Sequence, residues 1–381
     1  LAREPAGHTS HPGKRHLPIW LGGSVSEPYL NIYPDPLPTS AATLKIESMS
    51  QWDAIVGHEW AVDLLKHNIS SGRIGHAYLF TGPPQIGKTT LARLLAQAIN
   101  CTAPDVNDRP CGQCRSCQLI AADRHPDVRL VEGESSGRKV SLKIEQIREL
   151  QAQLSLAAYE ARYKVAILRN FDTATIGAAN AFLKTLEEPP SRVVLLLTAH
   201  DGDNMLPTIT SRCRTVALRP LARPTVQAAL MARAGLDEAA AQRLAHMADG
   251  RLGWALQAAA DPAGPDQINA GIQTLHEALG GGRVLRFQMA DKLTRSSDAL
   301  PELLQTWLSW WRDLMLVALG DERVMIMHLD HQEHLQRVAE SWTTDQILRG
   351  LNQTKEALWQ LEHNANSRLV LENLFLTYPI A

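Results

Sequence analysis

The sequence predicts an α/β domain followed by two helical ones, on three observations. Runs that are apolar throughout, such as "VAIL" (165–168) and "RVVLLLT" (192–198), alternate with amphipathic helical stretches as far as residue 220. The segment "GPPQIGKT" (82–89) follows one such run and opens a helical one, the setting of a phosphate-binding loop. Beyond Pro220 strand-like runs vanish and helical periodicity takes over.

Residues 1–48 are rich in Pro, Gly, Ser and His without a sustained period, and the chain opens on Leu. They read as a disordered extension or a mis-called start without function, Met49 opening the first segment that looks folded. Next comes a helix with Ala61, Leu64, Leu65 and Ile69 as its apolar stripe, then a strand at 77–80, the Gly/Pro loop and the helical run "KTTLARLLAQAIN". After a Cys-rich insertion follow a strand at 127–131, a helix at 144–156 and the strand at 165–168. A helix with Ala179, Phe182, Leu183 and Leu186 at helical spacing leads to the strand at 192–198, a short helix near 206–212 and a last strand at 215–218. Strands apolar on both faces need helices on both faces, hence a parallel sheet. The first folded domain is thus 49–220, and 221–262 is a small helical unit with "DPAGPD" (261–266) as linker. Residues 263–381 form a second helical domain with Leu304, Trp307, Trp311, Leu314 and Ala318 along one stripe.

A chain of 381 residues can bury two or three cores. With 38 basic and 40 acidic residues, net charge −2, it lacks the overall basic footprint of a solitary DNA-binding domain. No apolar run approaches the ~20 residues of a membrane span, so a cytoplasmic protein without a membrane partner is expected.

In the phosphate loop Gly82 and Gly87 let the backbone turn its N–H groups onto phosphate oxygens, Lys88 places a cation on the outer phosphates and Thr89 can ligate magnesium. Gly82, Pro83, Pro84, Gln85, Ile86, Gly87, Lys88, Thr89 and Thr90 are therefore the candidate residues for ATP or ADP with magnesium. The competing reading is a vestigial loop kept for packing.

Cys101, Cys111, Cys114 and Cys117 follow the pattern C-x9-C-x2-C-x2-C. Two-residue gaps aim neighbouring thiolates at one ion and the longer loop returns a fourth, which closes a tetrahedral, structural zinc site. An iron–sulfur cluster shares the ligand type, and unmetallated thiols are the other alternative. His125 reads as a surface or capping residue, not a ligand.

The phosphate loop, the four-Cys insertion, "AANAFLKTLEEPP" (178–190) and "LPTITSRC" (206–213), in that order, resemble the clamp-loader branch of the AAA+ ATPases. Within it the likeness is to delta-prime-type subunits of bacterial DNA polymerase III clamp loaders. It is strong over 50–220 and weak through to "NANSRLVLENLFL" (364–376), similar to the family's last collar helix. It implies an AAA+ domain with an inserted zinc module at 101–117, a helical lid at 221–262 and a helical collar at 263–381.

In hydrolysing relatives the strand corresponding to 165–168 ends in Asp-Glu, one anchoring hydrated magnesium and the other polarising the attacking water. Here those places fall on Arg169 and Asn170. Arg cannot ligate a cation, and Asn is a far weaker base than Glu. Asp172 lies three residues past Arg169 and is not expected to restore catalysis; Arg169 also reads as a strand-end residue in a surface ion pair. In "GRLGWAL" (250–256) the place of a phosphate-sensing Arg falls on Gly253, with Arg251 two places earlier.

"SRC" (211–213) resembles the motif that supplies an arginine finger to a neighbour's ATP, an effect worth roughly 10³–10⁵ in rate elsewhere. Arg212 would be that finger; its bland reading is a helix-end Arg bonding its own carbonyls. Cys213 reads as a buried apolar residue. The Trp stripe reads as a helical seam, with a base-stacking platform as the alternative. The resemblance implies a non-hydrolysing subunit partnered by delta and gamma/tau subunits, acting on the beta sliding clamp and primed DNA through the assembled ring. The rivals are an active gamma/tau-type ATPase and an AAA+ nucleic-acid remodeller outside replication.

Overall fold

Beyond residue 50, where the description of the chain begins, the C-terminal ends of parallel strands gather the motifs at one edge of a sheet. The computed structural model describes residues 51–379 except 137–138, 204, 262, 296–298, 321–325 and 364, so the expectation for residues 1–48 lies outside the described residues. The first part runs α1 (Glu59–Ser70), β1 (Ala77–Thr81), α2 (Lys88–Asn100), α3 (Arg115–Ala121), β2 (Val128–Val131), β3 (Glu134–Ser136), β4 (Lys139–Ser141), α4 (Ile144–Ser155), β5 (Lys164–Leu168), α5 (Ile176–Glu187), β6 (Val193–Ala199), α6 (Pro207–Thr210) and β7 (Arg214–Ala217).

Five strands form a parallel sheet in the order β2-β5-β6-β1-β7, with Leu79 of β1 facing Leu197 of β6 on one side and Thr215 of β7 on the other. All five residues of β1 and all seven of β6 are buried. Alternate side chains serve opposite faces. Tyr78 and Phe80 pack with Leu91 and Leu95 of α2, whereas Ala77 and Leu79 pack with Phe182 and Leu186 of α5. Such two-sided burial is what the unbroken apolar runs predict.

Three details differ from expectation. The hairpin β3–β4 pairs Glu134 with Ser141, and its sequence carries a single apolar residue, Val140, so no period betrays it. On α1 the buried face uses Ala61, Val62 and Leu65 while Leu64 is exposed. The linker "DPAGPD" is largely absorbed into a helix, α10 (Ala263–Gly280), whose first turn holds Pro265, where a missing N–H leaves no intrahelical bond unmade.

The small helical unit is α7 (Arg223–Ala234), α8 (Glu238–Ala248) and α9 (Leu252–Ala260), closed around Val226, Leu230, Ala241, Ala245 and Ala255. The last part comprises α10 (Ala263–Gly280), α11 (Arg283–Thr294), α12 (Leu300–Ala318), α13 (Gln332–Ser341), α14 (Thr344–Glu362) and α15 (Ser367–Thr377). Trp307, Trp310 and Trp311 of α12 are fully buried, Trp307 Nε1 donates to the Gly271 carbonyl at 2.8 Å and Trp311 stacks on Trp342 at 5.7 Å, which removes these rings as a base-stacking platform. Arg286, also buried, donates to the carbonyls of Ala278, Leu279, Phe375, Tyr378 and Pro379, tying the ends of α10 and α15 together.

Candidate nucleotide and metal sites

The loop between β1 and α2 has the form a phosphate cradle needs. Gly82 adopts φ 139° and a Cβ there would meet the Leu218 carbonyl oxygen at 2.3 Å, so only glycine fits. Gly87 stands at φ 109° as the N-cap of the thirteen-residue α2, whose first-turn N–H groups have no partner within the helix and face the loop. Lys88 is buried and its Nζ donates to the carbonyls of Gly82 at 2.5 Å and Pro83 at 2.8 Å. Burial lowers its pKa to about 8, with the charge of Asp172 acting the other way. Ile86 is buried, Gly82, Pro83, Gly87 and Thr89 are half-buried, and Pro84, Gln85 and Thr90 are exposed. The predicted loop residues are thus together, and an apolar anchor, Ile86, seats them.

At the end of β5 the geometry is of another kind. The Arg169 guanidinium pairs with Glu132, so the strand-end ion pair exists and its cation is offset locally. Asn170 has a left-handed backbone, φ 49° and ψ 52°, which Asn tolerates better than most residues. Its N–H donates to Thr198 Oγ1 at 3.0 Å. Asp172 accepts from the His200 N–H at 2.9 Å, and the His200 carbonyl in turn accepts from the Gly82 N–H at 3.1 Å. A carboxylate missing from the strand end is therefore present nearby and bonded into the loop's own network.

Helix α9 is seated on the loop. The Gly253 N–H donates to the Gln85 carbonyl at 2.9 Å, and Gln85 Nε2 donates to Gln257 Oε1 at 2.8 Å. A Cβ at Gly253 would meet that carbonyl oxygen at 2.5 Å, so close backbone approach accounts for glycine where a phosphate-sensing Arg was sought. Arg251 is turned to its own segment: Nε donates to Ala248 O at 2.9 Å and the guanidinium lies 5.7 Å from the Trp254 ring centre.

Cys101, Cys111, Cys114 and Cys117 bring their sulfurs within 4.8 Å of one another. Backbone N–H groups point at them, from Ala103 and Cys111 to Cys101 Sγ and from Cys114 to Cys111 Sγ, each at 3.4 Å. Burial pushes the thiols of Cys101 and Cys117 up. At Cys114 burial acts the same way, but hydrogen bonds from Thr102 and Cys117 outweigh it and bring the pKa to about 6. Donors aimed at four converging sulfurs suit thiolates around one cation, and four sulfurs can hold it without other ligands. Of the two roles expected for His125, surface or capping, it takes the second: it is buried and its Nδ1 accepts from the Asp127 N–H at 3.1 Å. It is outside the metal-ligand group. Asp127, unremarked in the sequence, accepts from three successive N–H groups of Tyr159, Glu160 and Ala161.

Arg212 follows α6 with its side chain 36% exposed. Nη1 donates to Thr208 O at 2.9 Å and Nη2 pairs with Glu187 Oε1 at 2.8 Å. The helix-end reading is thus realised, together with a carboxylate partner at the end of α5. Cys213 is partly buried, and burial raises its thiol to about 12, away from nucleophile chemistry.

A family described as DNA polymerase III, delta subunit, matches residues 57–222. The delta' subunit of DNA polymerase III from Pseudomonas aeruginosa is 31% identical over 329 residues, 80% of this chain and 91% of that protein. The delta' subunit from Bacillus subtilis is 28% identical over 319 residues, 82% of this chain and 93% of that protein. The tau subunit from Escherichia coli is 38% identical over 167 residues, 44% of this chain, and the chain spans only 25% of tau's length. Identity to tau is higher but confined to one segment, whereas the match to delta' runs nearly end to end. The chain belongs to the DNA polymerase III delta' subunit family.

Proposed function

We propose that this chain is a non-hydrolysing, stator-like subunit of a replicative clamp loader, which holds nucleotide and supplies Arg212 to the active site of a neighbouring gamma/tau-type ATPase. Its partners are delta and gamma/tau subunits, and through the assembled ring the beta sliding clamp and primed DNA. The observation that carries the reading is the pairing of a complete phosphate loop with a β5 end that bears Arg169, tied to Glu132, and Asn170. Phosphoryl transfer relies on positioning, a supported cation and an oriented water, and the last has no carboxylate base at Asn170. The Arg212 guanidinium is partly exposed and bound by a single carboxylate, Glu187, which a phosphate across a subunit boundary can replace. In a reconstituted complex, Arg212→Ala is expected to leave assembly intact and lower ATPase activity at least about tenfold; unchanged activity overturns the finger assignment.

The four-Cys module is proposed to hold one zinc ion, which the converging sulfurs support. Elemental analysis should find about one zinc per chain, and Cys114→Ser should lower both zinc content and solubility. Metal-free, fully stable wild-type protein overturns this part.

An active gamma/tau-type ATPase is the second reading, favoured by the intact loop with Lys88 and Thr89. The two separate on turnover by the isolated chain and its loss in Lys88→Ala.

A further inference from the structure

Asp172 keeps a buried carboxylate oxygen without a visible reason. Its Oδ2 accepts from His200, but its Oδ1 is buried with no hydrogen-bond partner among the described residues. Leaving a buried acceptor unsatisfied is destabilising, more so when it is charged, and a group of this kind in a packed protein calls for an ion, a water or a ligand.

Two connections tie it to the phosphate loop. His200, which holds the carboxylate, accepts the N–H of Gly82, the loop's first glycine. Lys88 feels Asp172 as the charge that opposes its desolvation. Arg169, the nearest strand-end cation in sequence, is engaged with Glu132. Magnesium at nucleotide sites is held by one or two carboxylates together with phosphate oxygens, and keeps several of its waters. A fixed acidic oxygen beside the loop lysine meets that requirement. Water activation needs a second group, and Asn170 is not one.

The geometry points to Asp172 as the carboxylate that supports a divalent cation at the phosphate loop, taking over that support from the end of β5 without restoring hydrolysis. This rests on the nucleotide-holding reading above. It makes Asp172 a positioning residue for binding, and it makes nucleotide binding divalent-dependent in a chain that does not turn nucleotide over.

The test is a fluorescence titration of the full chain with N-methylanthraniloyl-ADP, in MgCl2 and in EDTA. Wild type should bind at least about tenfold tighter with magnesium. Asp172→Asn, which keeps an oxygen for the His200 N–H, should bring that ratio to within about twofold, with affinity in EDTA unchanged or raised because an anion near Lys88 is gone. A ratio that persists in the variant overturns the assignment, as does an equal weakening in both buffers, the signature of a purely structural role. Wild-type binding that ignores magnesium overturns it while leaving nucleotide holding intact. Absence of binding in both buffers overturns both readings. Thermal melting of Asp172→Asn beside wild type checks that the fold is unchanged.

Discussion

The ends of β1 and β5 lie on the same edge of one parallel sheet, yet they have diverged. The end of β1 keeps every part of a phosphate cradle: a glycine no other residue can replace, a helix N-terminus and a buried lysine. The end of β5 carries a cation neutralised by Glu132 and an Asn in a left-handed turn. On the function proposed above, grip and chemistry belong to separate strand ends, so that one can be lost without the other. Binding draws on N–H groups and a positive charge from the loop, with Asp172 proposed to support a cation beside them, whereas cleavage also needs a carboxylate base at the end of β5.

The comparison can be broken most sharply at β1. Lys88→Ala removes a charged donor worth about 1.5–3 kcal/mol and should weaken nucleotide binding roughly 10–100-fold in a fluorescence titration. A loop that holds nucleotide without its lysine contradicts the assignment of grip to this end. Next in size is Gly253→Arg, which places on α9 the side-chain type sought there as a phosphate sensor. Because a Cβ at Gly253 would meet Gln85 O at 2.5 Å, it should cost about 1–3 kcal/mol by denaturant unfolding and give no gain in ATP turnover. Turnover appearing in that variant would mean that α9, not the end of β5, limits hydrolysis. The smallest effect is with pH. Burial lowers the Lys88 pKa to about 8, and phosphates need its charged form. Affinity should be flat below about pH 8 and fall above it, by less than about tenfold at pH 9. The decline should be absent in Lys88→Ala.

The parts that were legible in the sequence are contiguous ones. The phosphate loop, the Cys spacing and the sheet strands each declare themselves within a short run, because their chemistry depends on local spacing. The contacts that position them are not local. Gln85 meets Gly253 and Gln257 on a helix of the next unit, and nothing in either segment marks the other. Arg286 sits on α11 like a surface residue in sequence, yet its five carbonyl partners come from the ends of α10 and α15. Asp172 reads as a carboxylate at the wrong place, since only the fold shows that its holder, His200, also holds Gly82. Leu64 and Val62 exchange roles on α1, a slip that apolar spacing cannot resolve when Ala61, Val62, Leu64 and Leu65 are all apolar.

The most direct test of the separation between grip and chemistry is steady-state ATP turnover by the purified chain alone with magnesium, at a nucleotide concentration shown by titration to saturate the site. Saturable binding with turnover indistinguishable from Lys88→Ala is the predicted result. Magnesium-dependent turnover at a rate typical of phosphoryl-transfer enzymes, about 1–100 per second, and lost in Lys88→Ala, contradicts it.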